Sequence, residues 1–276
     1  MTAPTFSWSH TSVENRVALV TLKATASGKA NRMGPAFWKE MPALFSWLSS
    51  NDEVRAVVLR GEGEHFTSGL DLASMEELAP LLLGQPGAKD RTKLYELILD
   101  MQKATTSVAE CRKPVIAAVS GACIGGGVDL ITACDLRLAS ANAFFSVREV
   151  KLAIVADMGT LARLPGIVGQ GVARELALTG KDIDAARALR VGLVNDVYDT
   201  PALLFAAAMK LAEELAANAP LVVQGVKQVL NFASEKAAAE SLRTVAIWNS
   251  AFLPSEDLTE AVSAFMEKRA PDFKGG

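Results

Sequence analysis

Three carboxylic acids set in largely apolar text are the first feature of this chain that points to chemistry. Asp129 follows Gly125-Gly126-Gly127-Val128, Glu149 follows Ala143-Phe144-Phe145-Ser146-Val147-Arg148, and Asp157 stands in Ala153-Ile154-Val155-Ala156-Asp157-Met158-Gly159-Thr160. A buried carboxylate is costly unless it is paired or used. Burial raises its pKa toward neutrality, where it can both take and give protons. A single acid of this kind is more often a helix cap or an ion-pair partner. Three of them beside glycine turns favour an acid/base site.

The glycines form the second signal. In Gly121-Ala-Cys-Ile-Gly-Gly-Gly-Val-Asp129 three consecutive glycines cost backbone entropy and need a reason. A strand-to-helix turn without Cβ atoms would aim free N–H groups, backed by the helix dipole, at something negative or becoming negative. That describes an oxyanion hole as readily as a phosphate site. A tight helix–sheet contact with no ligand would explain the string equally well. Neither GxxxxGK[ST] nor GxGxxG occurs, which argues against a P-loop or a dinucleotide fingerprint. A second glycine turn, Thr67-Ser68-Gly69-Leu70-Asp71-Leu72, reads on its own as structural, with Asp71 capping a following helix.

Other chemistries lack their residues. The two histidines, His10 and His65, lie far apart, so no zinc site or serine–histidine triad is expected. Cys111, Cys123 and Cys134 form no CxxC pair and read as buried, reduced thiols. With 28 basic and 31 acidic residues the net charge is −3, which disfavours nucleic acid as a partner. The sequence shows neither a signal peptide nor a membrane-spanning run, and a cytoplasmic protein with no membrane partner is expected.

The elements that must hold these residues alternate. Strands are predicted at Val17–Leu22, Ala56–Arg60, Val115–Val119, Leu136–Ala139, Ala143–Val147 and Val194–Val197, with helices at Phe37–Leu48 and Lys93–Glu110 between them. That alternation implies an α/β fold. Ala56-Val-Val-Leu-Arg-Gly and Val115-Ile-Ala-Ala-Val-Ser-Gly each run from a strand into a glycine turn, an echo of one unit in another. Met75–Arg91 reads as a loop near the site. From Pro201 on the pattern is helical: Ala202–Asn218, Leu221–Trp248, and a last helix capped by Ser255 and ending near Lys268. The chain divides into a core at 1–200 and a helical region at 201–276.

The strings HFTSGLDL, KPVIAAVSGACIGGGVDLITACDLRLAS, AFFSVREVKLAIVADMGTLARLP and AFMEKRAPDF resemble the crotonase (enoyl-CoA hydratase/isomerase) superfamily, from about Val17 to Phe273. The set Asp129, Glu149 and Asp157 resembles the Δ3,5-Δ2,4-dienoyl-CoA isomerase branch, where hydratases carry Glu, Glu and Gly. The resemblance implies a spiral of ββα turns with a C-terminal helical subdomain that builds trimers or hexamers. It implies an acyl-CoA substrate, coenzyme A being part of that substrate, with no separate cofactor and no metal. The catalytic acids would be Asp129, Glu149 and Asp157. Ser68, Gly69, Leu70, Asp71, Leu72 and Gly126 would bind substrate, the N–H groups of Ser68 and Gly126 holding the thioester oxygen. Lys29-Ala-Asn-Arg-Met would lie near the CoA adenine. A 2-enoyl-CoA hydratase and a non-catalytic acyl-CoA-binding protein are the alternative readings.

Overall fold

The computed structural model describes residues 4–24, 31–71, 81 and 87–275. Its main sheet has six strands in the order β1-β2-β4-β6-β8-β11: β1 Ser9–Glu14, β2 Val17–Leu22, β4 Ala56–Gly61, β6 Val115–Val119, β8 Leu136–Ser140 and β11 Asp196–Tyr198. Only β1 and β2 are antiparallel, and the other neighbours run parallel. Strands buried on both faces read as continuous apolar runs, which is why β4 and β6 stand out in the sequence. Val57 and Leu59 face one apolar cluster, while Ala56 and Val58 face a second.

The echo between sequence segments is a structural repeat. Four main-sheet strands, β2, β4, β6 and β8, are each followed by a short outer strand and then a helix. The outer strands are β3 Arg32–Met33, β5 Gly69–Leu70, β7 Ala122–Ile124 and β9 Phe144–Ser146. The helices are α1 Pro35–Ser50, α2 Ala88–Ala109, α3 Gly126–Thr132 and, after a 3-10 turn at Glu149–Leu152, α4 Thr160–Thr179. β3 pairs with β5, and β7 with β9 and with β10, Asp182–Asp184, through β9. The parallel bridge Thr67↔Cys123 links the second and third turns of this spiral.

Four further helices complete the described fold: α5 Ala185–Arg190, α6 Pro201–Ala217, α7 Pro220–Phe252 and α8 Glu256–Glu267. α6 lays Leu204, Ala208, Ala212 and Ala216 against the outer face of the main sheet, the i, i+4 stripe of small residues allowing a close approach. Ser255 caps α8 by accepting from Leu258 N–H at 3.1 Å, as expected.

Three sequence expectations shift. The strand expected at 194–197 forms at Asp196–Tyr198, because its partner β8 pairs from Leu138 on, and Val194 turns into the core instead. The loop expected at Met75–Arg91 lies mostly outside the described residues, and its end is already helix, with Gly87 N–H donating to Asp90 Oδ2 at 3.2 Å. β1 and α4 were not announced by the pattern. β1 is an edge strand with most side chains exposed, and α4 is broken by Gly169, whose φ of 77° blurs the helical period. No helix among the described residues is long and apolar enough to cross a membrane.

Candidate active site

The two glycine turns meet because the spiral repeats. Thr67 N–H donates to Ala122 O at 2.9 Å and Ile124 N–H donates back to Thr67 O at 3.2 Å. This pairing sets Gly69 against Ile124-Gly125-Gly126. Gly69 has a φ of +85°, and a Cβ there would lie 2.6 Å from Ile124 O and 3.4 Å from Gly126 N. A side chain at this position is excluded on both counts. Gly125 caps α3 with a φ of 54°, and Gly126 opens the helix, so its N–H has no partner within α3.

The donor expected from the first turn needs correction. Ser68 N–H is already spent on Asn31 O at 3.1 Å and is not available to a ligand. In the parallel pairing Met33↔Leu70, Asp71 N–H donates to Met33 O at 3.2 Å. Successive N–H groups along a strand point to opposite sides, so the Leu70 N–H turns away from β3. Leu70, Gly69 and Gly126 all line one cavity of about 520 Å³. Asp71 forms an ion pair with Arg32 at 3.3 Å at the same cavity's edge. Leu72 and Lys29 lie outside the described residues.

The three acids line this cavity as well. Asp129 sits in the first turn of α3 and is fully buried; its Oδ1 accepts the Thr160 N–H, at the N-terminus of α4, at 2.6 Å. Burial is the largest cause that lifts its pKa to about 6, opposed by Thr160 and by the charge of Arg163. Glu149 opens the 3-10 turn, and β7–β9 pairing brings it beside the glycine bend: its Oε1 is 3.4 Å from where a Gly125 Cβ would stand. Burial, then the neighbouring Asp129 charge, raises the Glu149 pKa well above the usual carboxylate range. Among the described residues no hydrogen-bond partner reaches the buried Glu149 Oε2, and Asp129 is the neighbouring acid that acts on this carboxyl.

Asp157 lies in the loop between the 3-10 turn and α4. Burial raises its pKa to about 7, with the Asp129 charge adding to the rise and a hydrogen bond from Asn249 opposing it. Two amide side chains that sequence reading passed over hold this loop. Asn249 Nδ2 donates to Asp157 Oδ2 at 2.7 Å, and Gln102 Nε2 donates to Asp157 O at 2.8 Å. Their only trace in the sequence is a polar residue at an inward helical position. No cluster of potential metal ligands occurs among the described residues.

The cavity thus brings together the backbone at Leu70 and Gly126 and three buried carboxyls whose pKa values are all raised. It suits proton transfer next to a group that becomes an oxyanion. The enoyl-CoA hydratase/isomerase family model matches residues 12–276. The chain is 47% identical over 247 residues to the mitochondrial Delta(3,5)-Delta(2,4)-dienoyl-CoA isomerase of Dictyostelium discoideum, covering 88% of this chain and 83% of that one. It is 47% identical over 244 residues to the peroxisomal Delta(3,5)-Delta(2,4)-dienoyl-CoA isomerase of Arabidopsis thaliana, covering 88% of each. A crystal structure of an enoyl-CoA hydratase from Mycobacterium avium subsp. paratuberculosis K-10 superposes with a TM-score of 0.84 at 26% identity, covering 98% of this chain and all of that one.

Proposed function

We propose, from the premise that this chain belongs to the enoyl-CoA hydratase/isomerase family, that it moves the double bonds of a 3,5-dienoyl-CoA to the 2,4 positions. The observation that carries this reading is the meeting of Leu70, Gly126, Glu149 and Asp157 on one cavity. The thioester oxygen accepts from the Leu70 and Gly126 N–H groups, which stabilise the charge that builds as C2 loses a proton. The electron pair spreads through C3=C4 and C5=C6, and a proton added at C6 leaves the 2,4-diene. Glu149, beside the glycine bend, serves the C2 end, and Asp157 serves the C6 end. One proton leaves the substrate and one returns, so no net acid or base is consumed.

The direct test is an assay with 3,5-dienoyl-CoA and 2-enoyl-CoA side by side. A rise in conjugated dienoyl-thioester absorbance from the first substrate is expected. Hydration of the second substrate with no diene product would assign a hydratase instead, and binding without turnover would assign a binding protein.

Turnover needs one proton on the Glu149–Asp157 pair, one member taking and the other giving. The pH profile of kcat/KM is therefore a bell that reports the pair jointly. Its acid limb is expected near pH 7, where Asp157 ionises, and its basic limb higher, where Glu149 follows. The Asp129 charge raises both groups. Asp129→Asn should thus shift the whole bell to lower pH, with activity at pH 6 rising relative to pH 8. An unmoved profile would remove Asp129 from the tuning role.

The helical region from 201 on also carries a row of exposed apolar side chains on α7, including Leu221, Val229, Leu230 and Phe232. This row supports assembly as a homotrimer or homohexamer, with residues 1–200 as catalytic core. The cytoplasmic location expected from sequence stays part of this proposal, although the two relatives above are named mitochondrial and peroxisomal.

A further inference from the structure

We infer that Asn249, on the long C-terminal helix α7, is a positioning residue that orients the Asp157 carboxyl and reserves one of its two oxygens for the substrate. The inference rests on the reading that Asp157 handles the distal proton. Asn249 is 1% exposed, so its amide has no water to fall back on. Its Nδ2 donates to Val155 O at 2.8 Å and to Asp157 Oδ2 at 2.7 Å. Both neighbours are acceptors, so the amide can face them only with its NH₂ group, and both hydrogens are used. The two bonds pin the backbone two residues before the acid and the acid's own side chain. Oδ2 is thereby engaged and Oδ1 is left for proton exchange.

Gln102, from α2, makes the matching clamp on the other side. It is buried, and its Nε2 donates to Asp157 O at 2.8 Å and to Leu242 O, on α7, at 2.9 Å. Gln102 therefore holds only backbone, whereas Asn249 holds the carboxyl itself. This difference separates their effects. A donor on Oδ2 favours the ionised form, and a bond to the Asp157 carbonyl does not.

The charged groups around Asp157 can be named by element. Asp129 comes from α3 and Glu149 from the 3-10 turn, both raising its proton affinity or responding to it. Arg163, from α4, acts on Asp129. Arg32, Arg148, Lys151 and Arg269 stand at the cavity wall. The contacts from α2 and α7 are the two neutral amides. Asn249 is the neutral side chain that opposes the upward push of burial and of Asp129 on Asp157, together with a backbone hydrogen bond of Asp157 itself.

The test is the pH profile of purified full-length enzyme. In Asn249→Leu, similar in size but without the donor, the acid limb of kcat/KM should move up by about one pH unit. Because Asp157 gives its proton in the reaction, activity well below pH 7 should change little, while the plateau above the shifted limb should stand higher relative to it than in wild type, by up to roughly tenfold. Asn249→Ser, whose hydroxyl can satisfy only one acceptor, should give a smaller shift and carries the test if the leucine variant does not fold. Gln102→Leu should lower kcat at every pH without moving the limb. A uniform loss in both Asn249 variants, with the limb in place, would reduce Asn249 to a structural role. Asp157→Asn, run alongside, separates the two failures. If it is inactive while the limb stays put, only the Asn249 inference falls; if it is fully active, the role of Asp157 falls with it.

Discussion

Asp157→Asn is expected to bind acyl-CoA nearly as wild type does while shifting double bonds at least ~10³-fold more slowly. The substitution is isosteric, and the Asn249 amide can still donate to the side-chain oxygen that it now meets at 2.7 Å. What disappears is a group able to deliver a proton at the far end of the diene. Glu149 and the two backbone donors remain. The variant should therefore still exchange the C2 hydrogen of the substrate with deuterium from solvent, without forming product. Glu149→Gln should lose both exchange and isomerisation. The two variants, followed by absorbance and by mass spectrometry in D₂O, assign the two ends of the substrate to the two acids. Wild-type turnover by Asp157→Asn would remove Asp157 from the mechanism.

The same substitution changes stability with a definite sign. In the folded protein Asp157 ionises near pH 7 rather than near 3.8, chiefly because it is buried. The folded state therefore binds more protons than the unfolded state between those values. Stability falls as pH rises through that window, and the cost is complete above about pH 7. Asp157→Asn has no such cost. It should be more stable than wild type at pH 8, by on the order of 2–4 kcal/mol, the lower part of the range being expected because the carboxyl meets an open cavity. The difference should close below about pH 4. Denaturant melts at the two pH values measure it. A catalytic acid that destabilises its own fold at working pH is what a site built for proton transfer would show.

Much of this site was legible in the sequence because its parts are local. Gly125-Gly126-Gly127-Val128-Asp129 places a helix N-terminus and an acid within one turn, and Asp157 stands out as a charge among apolar residues. The main strands were legible for the same reason: β6 is an uninterrupted apolar run and β2 is interrupted only by Thr21, and both form where the pattern places them. What stayed hidden is set by pairing across the spiral. Whether Ser68 or Leu70 presents a free N–H depends on β3 lying alongside β5, and no property of residues 67–72 reveals that Asn31 will take the Ser68 donor. Asn249 is 92 residues from Asp157, and Gln102 is 55 residues away on the other side. Each looks like any amide on a helix until the chain folds. The glycines also proved less uniform than one motif suggests. Gly127 is crowded by Thr67, whose Cγ2 would lie 2.6 Å from a Cβ, so it serves packing, whereas Gly69 and Gly125 adopt backbone angles that other residues rarely reach.

Gly126→Pro should lose at least ~10²–10³-fold in kcat relative to Gly126→Ala, because it replaces one backbone donor by a ring carbon. Gly126 is the first residue of α3. Proline is well suited to that position, since its fixed φ matches the helix and its missing N–H breaks no helical hydrogen bond. Gly125 has φ 54° and ψ −118°, outside the α region that a following proline disfavours. Either substitution adds a Cβ that would lie 2.9 Å from Met33 Sδ and 3.5 Å from Trp38 Cη2. The methionine thioether is the end of a flexible side chain and can yield, and the cost of its movement is common to both variants. The ratio between them therefore reads the replacement of the N–H by the ring Cδ at the oxyanion position. Because charge on the thioester oxygen grows only as C2 loses its proton, the loss should fall on kcat far more than on binding of the product 2,4-dienoyl-CoA. Thermal melts of the two variants should lie close together, showing that proline has left the fold intact. Equal rates for alanine and proline would mean that the Gly126 amide does not hold the oxyanion, and the glycine run would then be a close helix–sheet contact and nothing more.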